Sequence, residues 1–179
     1  MKNYVFILMF SVAQLYGATY THPGGDFSFQ FDDGAWEIAK KWESKEVEGQ
    51  NAYESLVALQ KRAADEDYHS RFSVVREDAS RFLKEKDPLG AYHSHALKFL
   101  EAQAFGNIQV ERNRELLPAL RREVIETVAS QRSFGLTFKQ VIFLDGKYAY
   151  LLTAALRREK FPSEKKEIDP LFQSFKLAR

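Results

Sequence analysis

The chain has 179 residues, of which 45% are apolar and 28% charged, and its formal net charge is +1. That length suits one domain with a sizeable core, and the charged fraction excludes a multi-span membrane protein. Near-neutrality removes the electrostatic case for nucleic acid or an anionic membrane as the main partner, and the 14% aromatic fraction argues for a β-rich core rather than a disordered chain.

The chain opens with Met1-Lys2-Asn3, an apolar run from Tyr4 to Ala13 broken only by Ser11, and the small residues Gly17 and Ala18. A basic start, a short apolar run and small residues form the layout of a secretory signal peptide, and the run falls short of the ~18 residues of a membrane span. The expectation is a signal peptide over 1–17, cleaved after Gly17 with Ala18 as the alternative, and a single domain over 18–179. Cleavage removes one charge, Lys2, and leaves the mature chain near neutral. Cysteine is absent, which excludes thiol catalysis, Cys-ligated zinc, iron–sulfur clusters and the acylated cysteine of a lipoprotein. A periplasmic or secreted protein is expected, with no membrane span and no lipid anchor.

Residues 18–25 read as a short lead or loose arm ending in the turn Pro23-Gly24-Gly25. Phe27, Phe29 and Phe31 alternate with polar residues, as in a strand with one apolar face. Asp32-Asp33-Gly34 closes it, and Trp36, Ile38 and Trp42 resume the period of two as a second strand. Glu43 to Asn51 is a charged loop. Tyr53 to Arg62 suits strand or helix and is assigned as strand, because its neighbours need a pairing partner. Asp65-Glu66-Asp67 is an acidic loop, and Arg71 to Arg76 is a strand. A helix begins at Asp87-Pro88, where aspartate caps and proline occupies the first helical position; Leu89, Tyr92, Ala96, Phe99, Leu100 and Gln103 form its apolar side and Gly106-Asn107 stops it. Ile108 to Leu117 and Glu123 to Ala129 are further strands.

From Leu136 to Leu156 two runs rich in β-branched and aromatic residues flank Asp145-Gly146, a strong hairpin signal. Val141 to Leu144 and Tyr148 to Leu152 are apolar on both faces, so these strands should be central and covered on both sides. If Asp145-Gly146 forms a two-residue turn, Phe143 faces Tyr148 and Val141 faces Tyr150; a bulged three-residue loop shifts the register. Asp169-Pro170, followed by Leu171, Phe172 and Phe175, predicts a short C-terminal helix. Strands joined by short turns, with two helices from different points of the chain, predict an α+β fold: a three-layer α/β/α sandwich on a largely antiparallel central sheet. A curved sheet around one helix, as in cystatin-like folds, is the competing arrangement.

An early Phe-rich strand, Trp36 soon after a Gly turn, a mid-chain helix, the Asp-Gly-Lys-Tyr hairpin running into Leu151-Leu152-Thr153, and terminal Phe172-Gln173-Ser174-Phe175 resemble the PsbP/DcrB-like family. The resemblance covers most of the mature chain. It implies an α/β/α fold in exported, mostly non-enzymatic accessory or envelope-associated proteins. Many bacterial relatives are lipoproteins, from which this chain departs in having no lipobox cysteine.

Residues that could carry chemistry have plainer readings. His22, His69, His93 and His95 are the histidines; on a helix His93 and His95 point about 200° apart and cannot share a metal, which leaves them as solvent-facing or helix-flank residues. Asp65-Glu66-Asp67 beside His69 lacks the spaced ligands and glycine of a calcium loop. Glu123 and Glu126 fit ion pairs with Arg121 and Arg122, and Arg121-Arg122, Arg157-Arg158 and Lys165-Lys166 form a basic patch only if they cluster. Trp36, Trp42, Tyr148 and Tyr150 fit core packing before an apolar pocket. Nucleophile-elbow, P-loop and dinucleotide fingerprints are missing. No catalytic, cofactor-binding or metal-ligating residue is nominated, and no cofactor. The expected function is an exported, non-catalytic binding or accessory protein of the cell envelope, its partner an envelope protein or complex. A small-ligand carrier with an apolar pocket is the alternative, and a hydrolase-type envelope enzyme ranks third.

Overall fold

The computed structural model describes residues 17–39, 53–62, 69–103, 108–131 and 135–178. The proposed signal peptide, Trp42, Asp65-Glu66-Asp67 and the Gly106-Asn107 stop lie outside them, apart from Gly17.

Among the described residues, ten strands and two helices follow one another: β1 (Ala18–Thr21), β2 (Phe27–Phe31), β3 (Trp36–Ile38), β4 (Tyr53–Lys61), β5 (Arg71–Asp78), α1 (Pro88–Gln103), β6 (Ile108–Leu117), β7 (Arg122–Gln131), β8 (Leu136–Asp145), β9 (Tyr148–Arg157), α2 (Phe161–Gln173) and β10 (Lys176–Leu177), with a 3-10 turn at Ser80–Phe82 before α1. Seven strands form one sheet in the order β3-β4-β5-β9-β8-β7-β6, and β1-β2-β10 form a small second sheet. Every pairing is antiparallel. The class is α+β, and strand is the correct reading of Tyr53–Lys61.

Alternation along β7, β8 and β9 divides the apolar side chains into two cores. Val124, Val141, Phe143, Tyr150 and Leu152 join α2 (Ile168, Leu171, Phe172) and the small sheet (Phe27, Phe29) in the larger core. Ile125, Ile142 and Ala149 join Leu89 and Tyr92 of α1 in the smaller one. The central hairpin is therefore buried on both faces, as its unbroken apolar runs require. Its larger core is aromatic: Phe175 stacks on Phe27 at 5.1 Å between centroids and tilts against Phe143 at 5.9 Å, while Phe72 meets Phe172 edge-on at 5.3 Å.

Four elements differ from the sequence reading. Residues 18–21 are a strand, paired with β2 from Ala18↔Phe31 to Thr21↔Ser28. The hairpin turn consists of Gly146-Lys147 rather than Asp145-Gly146, so Phe143 pairs with Tyr150 and Asp145 with Tyr148. Gly146 has φ +59° and Lys147 does not share a positive φ, the pattern of a type II′ turn with glycine first, a register distinct from both the Asp145-Gly146 turn and the bulged loop that the sequence leaves open. Helix α2 begins two turns before Asp169-Pro170, with Pro162 in its first turn and Pro170 inside it. Ile168, Leu171, Phe172 and Phe175 give its apolar spacing, but the polar run Ser163 to Glu167 hides the first half. Finally, Lys176–Leu177 extends the small sheet across Ser28 and Phe27.

The start of α1 is as read. The Asp87 carboxylate accepts a hydrogen bond from the Gly90 amide at 3.0 Å and two more from the Arg114 guanidinium of β6 at 2.6 and 2.9 Å. This clamp explains Gly90, where a Cβ would collide with the pinned carboxylate. Arg114 and the Gly90 amide hold the Asp87 pKa at about 2.

Candidate functional site

Helix α1 lies over β7 and β8, and its buried stripe runs Leu89, Tyr92, His93 and Ala96, the spacing of one helix face. His93 is therefore 2% exposed, which corrects its reading as a solvent-facing or flank residue. It occupies the third position of that stripe, where a polar residue type concealed it. Its Nε2 lies 2.7 Å from Thr127 Oγ1 on β7, and its Nδ1 is buried with no hydrogen bond among the described residues. Burial, reinforced by the positive charge of Arg112, lowers the His93 pKa, so the ring is neutral at physiological pH. His95 emerges on the exposed side, where its Nε2 accepts from Arg81 at 2.6 Å.

Thr127 belongs to a row of residues running straight across the sheet on the α1 side. Arg112 of β6 is opposite Thr127, Thr127 opposite Gln140, Gln140 opposite Thr153, and Thr153 opposite Ser73. Gln140 donates to Thr153 Oγ1 at 3.0 Å. The row reaches Ala58 of β4, beside a shallow cleft of about 410 Å³ lined by Glu37, Ile38, Ala39, Gln60 and Arg71. None of Arg112, Thr127, Gln140 or Thr153 stood out in the sequence; the one available signal is a polar residue interrupting the apolar runs of β7, β8 and β9 at the same register. Chemically, the seam offers hydroxyl, amide and imidazole groups at hydrogen-bonding positions. The neutral ring has one unused ring nitrogen, and the seam can hold a polar group by hydrogen bonding.

The remaining candidates resolve into structure. His22 stacks on Phe27 at 4.9 Å with Asp26 3.5 Å from its Nδ1, and His69 Nδ1 lies 3.1 Å from the Lys61 carbonyl. Asp32-Asp33-Gly34 is a turn, its Gly34 amide donating to Asp32 Oδ1 at 2.9 Å. Glu123 and Glu126 do form ion pairs, but across strands rather than with Arg121 and Arg122: Glu123 with Arg114 at 3.1 Å and Glu126 with Lys139 at 3.1 Å. Arg122 pairs with Asp145, Arg157 with Glu159 and Lys165 with Asp169. The three basic pairs thus each contribute a neutralised member. Trp36 and Tyr150 are core residues, and Tyr148 lies under Arg76.

Two partly buried charge networks anchor α2. Lys139 of β8 reaches Asp169 at 2.8 Å and Glu126 at 3.1 Å, with its ammonium 5.1 Å from the Phe172 ring centre. Burial opposes its charge, yet the two carboxylates more than offset this and its pKa is raised. At the other end of α2, Ser70 donates to Glu164 at 2.7 Å and Lys61 bridges Glu164 and Glu167.

No family model and no curated protein sequence matches the chain. Solved structures match it by fold. The solution structure of the cyanobacterial PsbP (CyanoP) of Synechocystis superimposes with a TM-score of 0.59 at 12% identity, covering 90% of this chain and 92% of that one. The fold is PsbP-like. A Pseudomonas aeruginosa protein of unknown function described as a putative regulator gives 0.55 at 14% identity, covering 88% and 94%. LpqN of Mycobacterium tuberculosis, involved in cell envelope biogenesis, gives 0.53 at 9% identity, covering 93% and 88%. Among the described residues, no helix is long and apolar enough to cross a membrane.

Proposed function

We propose that the chain is an exported, non-catalytic binding or accessory protein of the cell envelope, built as a three-layer α/β/α sandwich of the PsbP/DcrB-like kind. The observation that carries this reading is the PsbP-like fold, shared over about nine-tenths of the chain with CyanoP and with LpqN, a protein of envelope biogenesis. Export is supported by the position of β1. Its first residue, Ala18, pairs with Phe31 immediately after the expected cleavage point at Gly17. The histidines and carboxylates that first invited chemistry are engaged in caps, cross-strand ion pairs and a buried hydrogen bond, which supports a binding role over a catalytic one.

Fractionation of the producing cell with N-terminal sequencing should recover a chain beginning at Ala18 or Thr19 outside the cytoplasm, and cross-linking in the intact envelope should capture a reproducible protein partner. A full-length cytoplasmic product overturns the export reading. A turnover reaction of the purified protein, abolished by a point substitution, overturns the non-catalytic one.

A second reading, a small-ligand carrier, is favoured by the unused Nδ1 of His93 beneath α1 and by the polar row leading to the cleft at Ala58. Native mass spectrometry of protein from its own host decides it: a carrier emerges with bound mass.

A further inference from the structure

Strand β6 is the outermost strand of the seven-stranded sheet, and among the described residues no strand pairs with its outer side. It runs ten residues in unbroken register with β7, and residues 111–116 are all exposed. A regular edge of this length presents free backbone donors and acceptors to any incoming strand. Proteins usually blunt such an edge with a bulge, a proline or a very short strand; β6 has only its charges, and these are sorted by face. Arg112 and Arg114 lie opposite Thr127 and Ile125, on the α1 side of the sheet. Glu111 and Glu115 lie opposite Val128 and Val124, on the other side, with Asn113 between them.

Sorting excludes antiparallel pairing with a second copy of the chain. When two copies join antiparallel in one sheet, residues that face each other lie on the same side of it. Each side of β6 carries a single sign, so every register brings together like charges or a charge and a neutral residue. The symmetric register centred on Asn113 sets Arg112 against Arg114 of the other copy and Glu111 against Glu115. The same sorting favours a strand of opposite pattern.

We propose that the outer edge of β6 takes up an extended segment of a partner protein in which acidic and basic residues alternate, the acids beside Arg112 and Arg114 and the bases beside Glu111 and Glu115. Main-chain hydrogen bonds supply the affinity and the alternating charges the selection. Arg114 already pairs with Asp87 and Glu123, so Arg112, Glu111 and Glu115 carry most of the discrimination. This rests on the reading of the chain as a binding protein and specifies how it binds.

The probe is an end-capped peptide, Val-Lys-Glu-Thr-Glu-Lys-Val, compared with its charge-inverted form, Val-Glu-Lys-Thr-Lys-Glu-Val, on the isotope-labelled protein. The first should shift the amides of residues 109–117, protect the alternate ones whose N–H groups point away from β7, and bind about tenfold more tightly than the second, from several cross-strand charge pairs changing sign together. The triple variant E111K/R112E/E115K should reverse the preference. Equal binding of both peptides, binding of neither, or shifts outside β6 overturns the proposal. Cross-linking in the native envelope separates it from the broader reading. A partner captured equally by wild type and triple variant refutes the edge while sparing the binding role, whereas no partner for either refutes both.

Discussion

His93 and Thr127 are joined by a 2.7 Å hydrogen bond beneath helix α1, and among the described residues nothing hydrogen-bonds the second ring nitrogen of His93. A proton arriving there would place a charge in a buried site near the positive charge of Arg112. The folded-state pKa is therefore below 6.5, and the unfolded chain binds a proton that the folded chain refuses. The stability this contributes is complete above pH 6.5 and is lost as the pH falls from there towards the folded-state value. The thermal midpoint should be flat above about pH 7 and fall towards about pH 5, while His93→Gln should flatten that slope. Parallel curves for the two proteins would rule His93 out. Asp87 acts in a separate window: its pKa is depressed from 3.8 to about 2, so its contribution is present above 3.8 and disappears only as the pH falls through about 2.

Gly146 is the first central residue of the β8–β9 turn with φ +59°. Valine there must adopt a left-handed conformation, at a cost of about 1–2 kcal/mol. Gly146→Asn should cost less, because asparagine tolerates that region. Urea titration of the two variants checks the order; an unchanged midpoint for Gly146→Val would contradict the turn.

Lys139→Met should destabilise the protein by about 2 kcal/mol, below the roughly 3–5 kcal/mol of a fully buried pair, because Glu126 and Asp169 both retain access to water. Adding Glu126→Leu should recover part of the loss, since it removes one of the two carboxylates left unmatched. Denaturant midpoints of the single and double variants test this; a double variant less stable than the single one would contradict it.

Phe175 is fully buried and meets Phe27, Phe29 and Phe143. Phe175→Ala should cost about 3–5 kcal/mol and Phe175→Leu distinctly less. Calorimetry or urea unfolding gives both values.

Much of the fold was readable because its determinants are local. Asp87-Pro88 announces a helix start by itself, and the alternating phenylalanines of β2 announce a strand. What escaped depends on distance. Ala18–Thr21 is a strand because Ser28–Phe31 lies beside it, and nothing within four residues of Ala-Thr-Tyr-Thr distinguishes it from an arm. Both Asp145-Gly146 and Gly146-Lys147 make acceptable two-residue turns; the choice falls to packing, where Phe143 stacks flat on Tyr150 at 5.2 Å. The candidate site was the least legible part. Arg112, Thr127 and Gln140 become neighbours only through the register of three strands, and His93 joins them only because α1 lies across that register.

The small sheet has one further consequence. Its middle strand, β2, is flanked by β1 on one side and by β10 on the other. Strands β1 and β10, far apart in the chain, are thus completed by the same five residues. A chain made from its N-terminus cannot close this sheet until residues 176–177 have been added, so the aromatic core around Phe175 stays open until after the larger sheet has been made. Removing residues 174–179 should therefore leave a chain that never completes folding, although every strand of the larger sheet remains in its sequence.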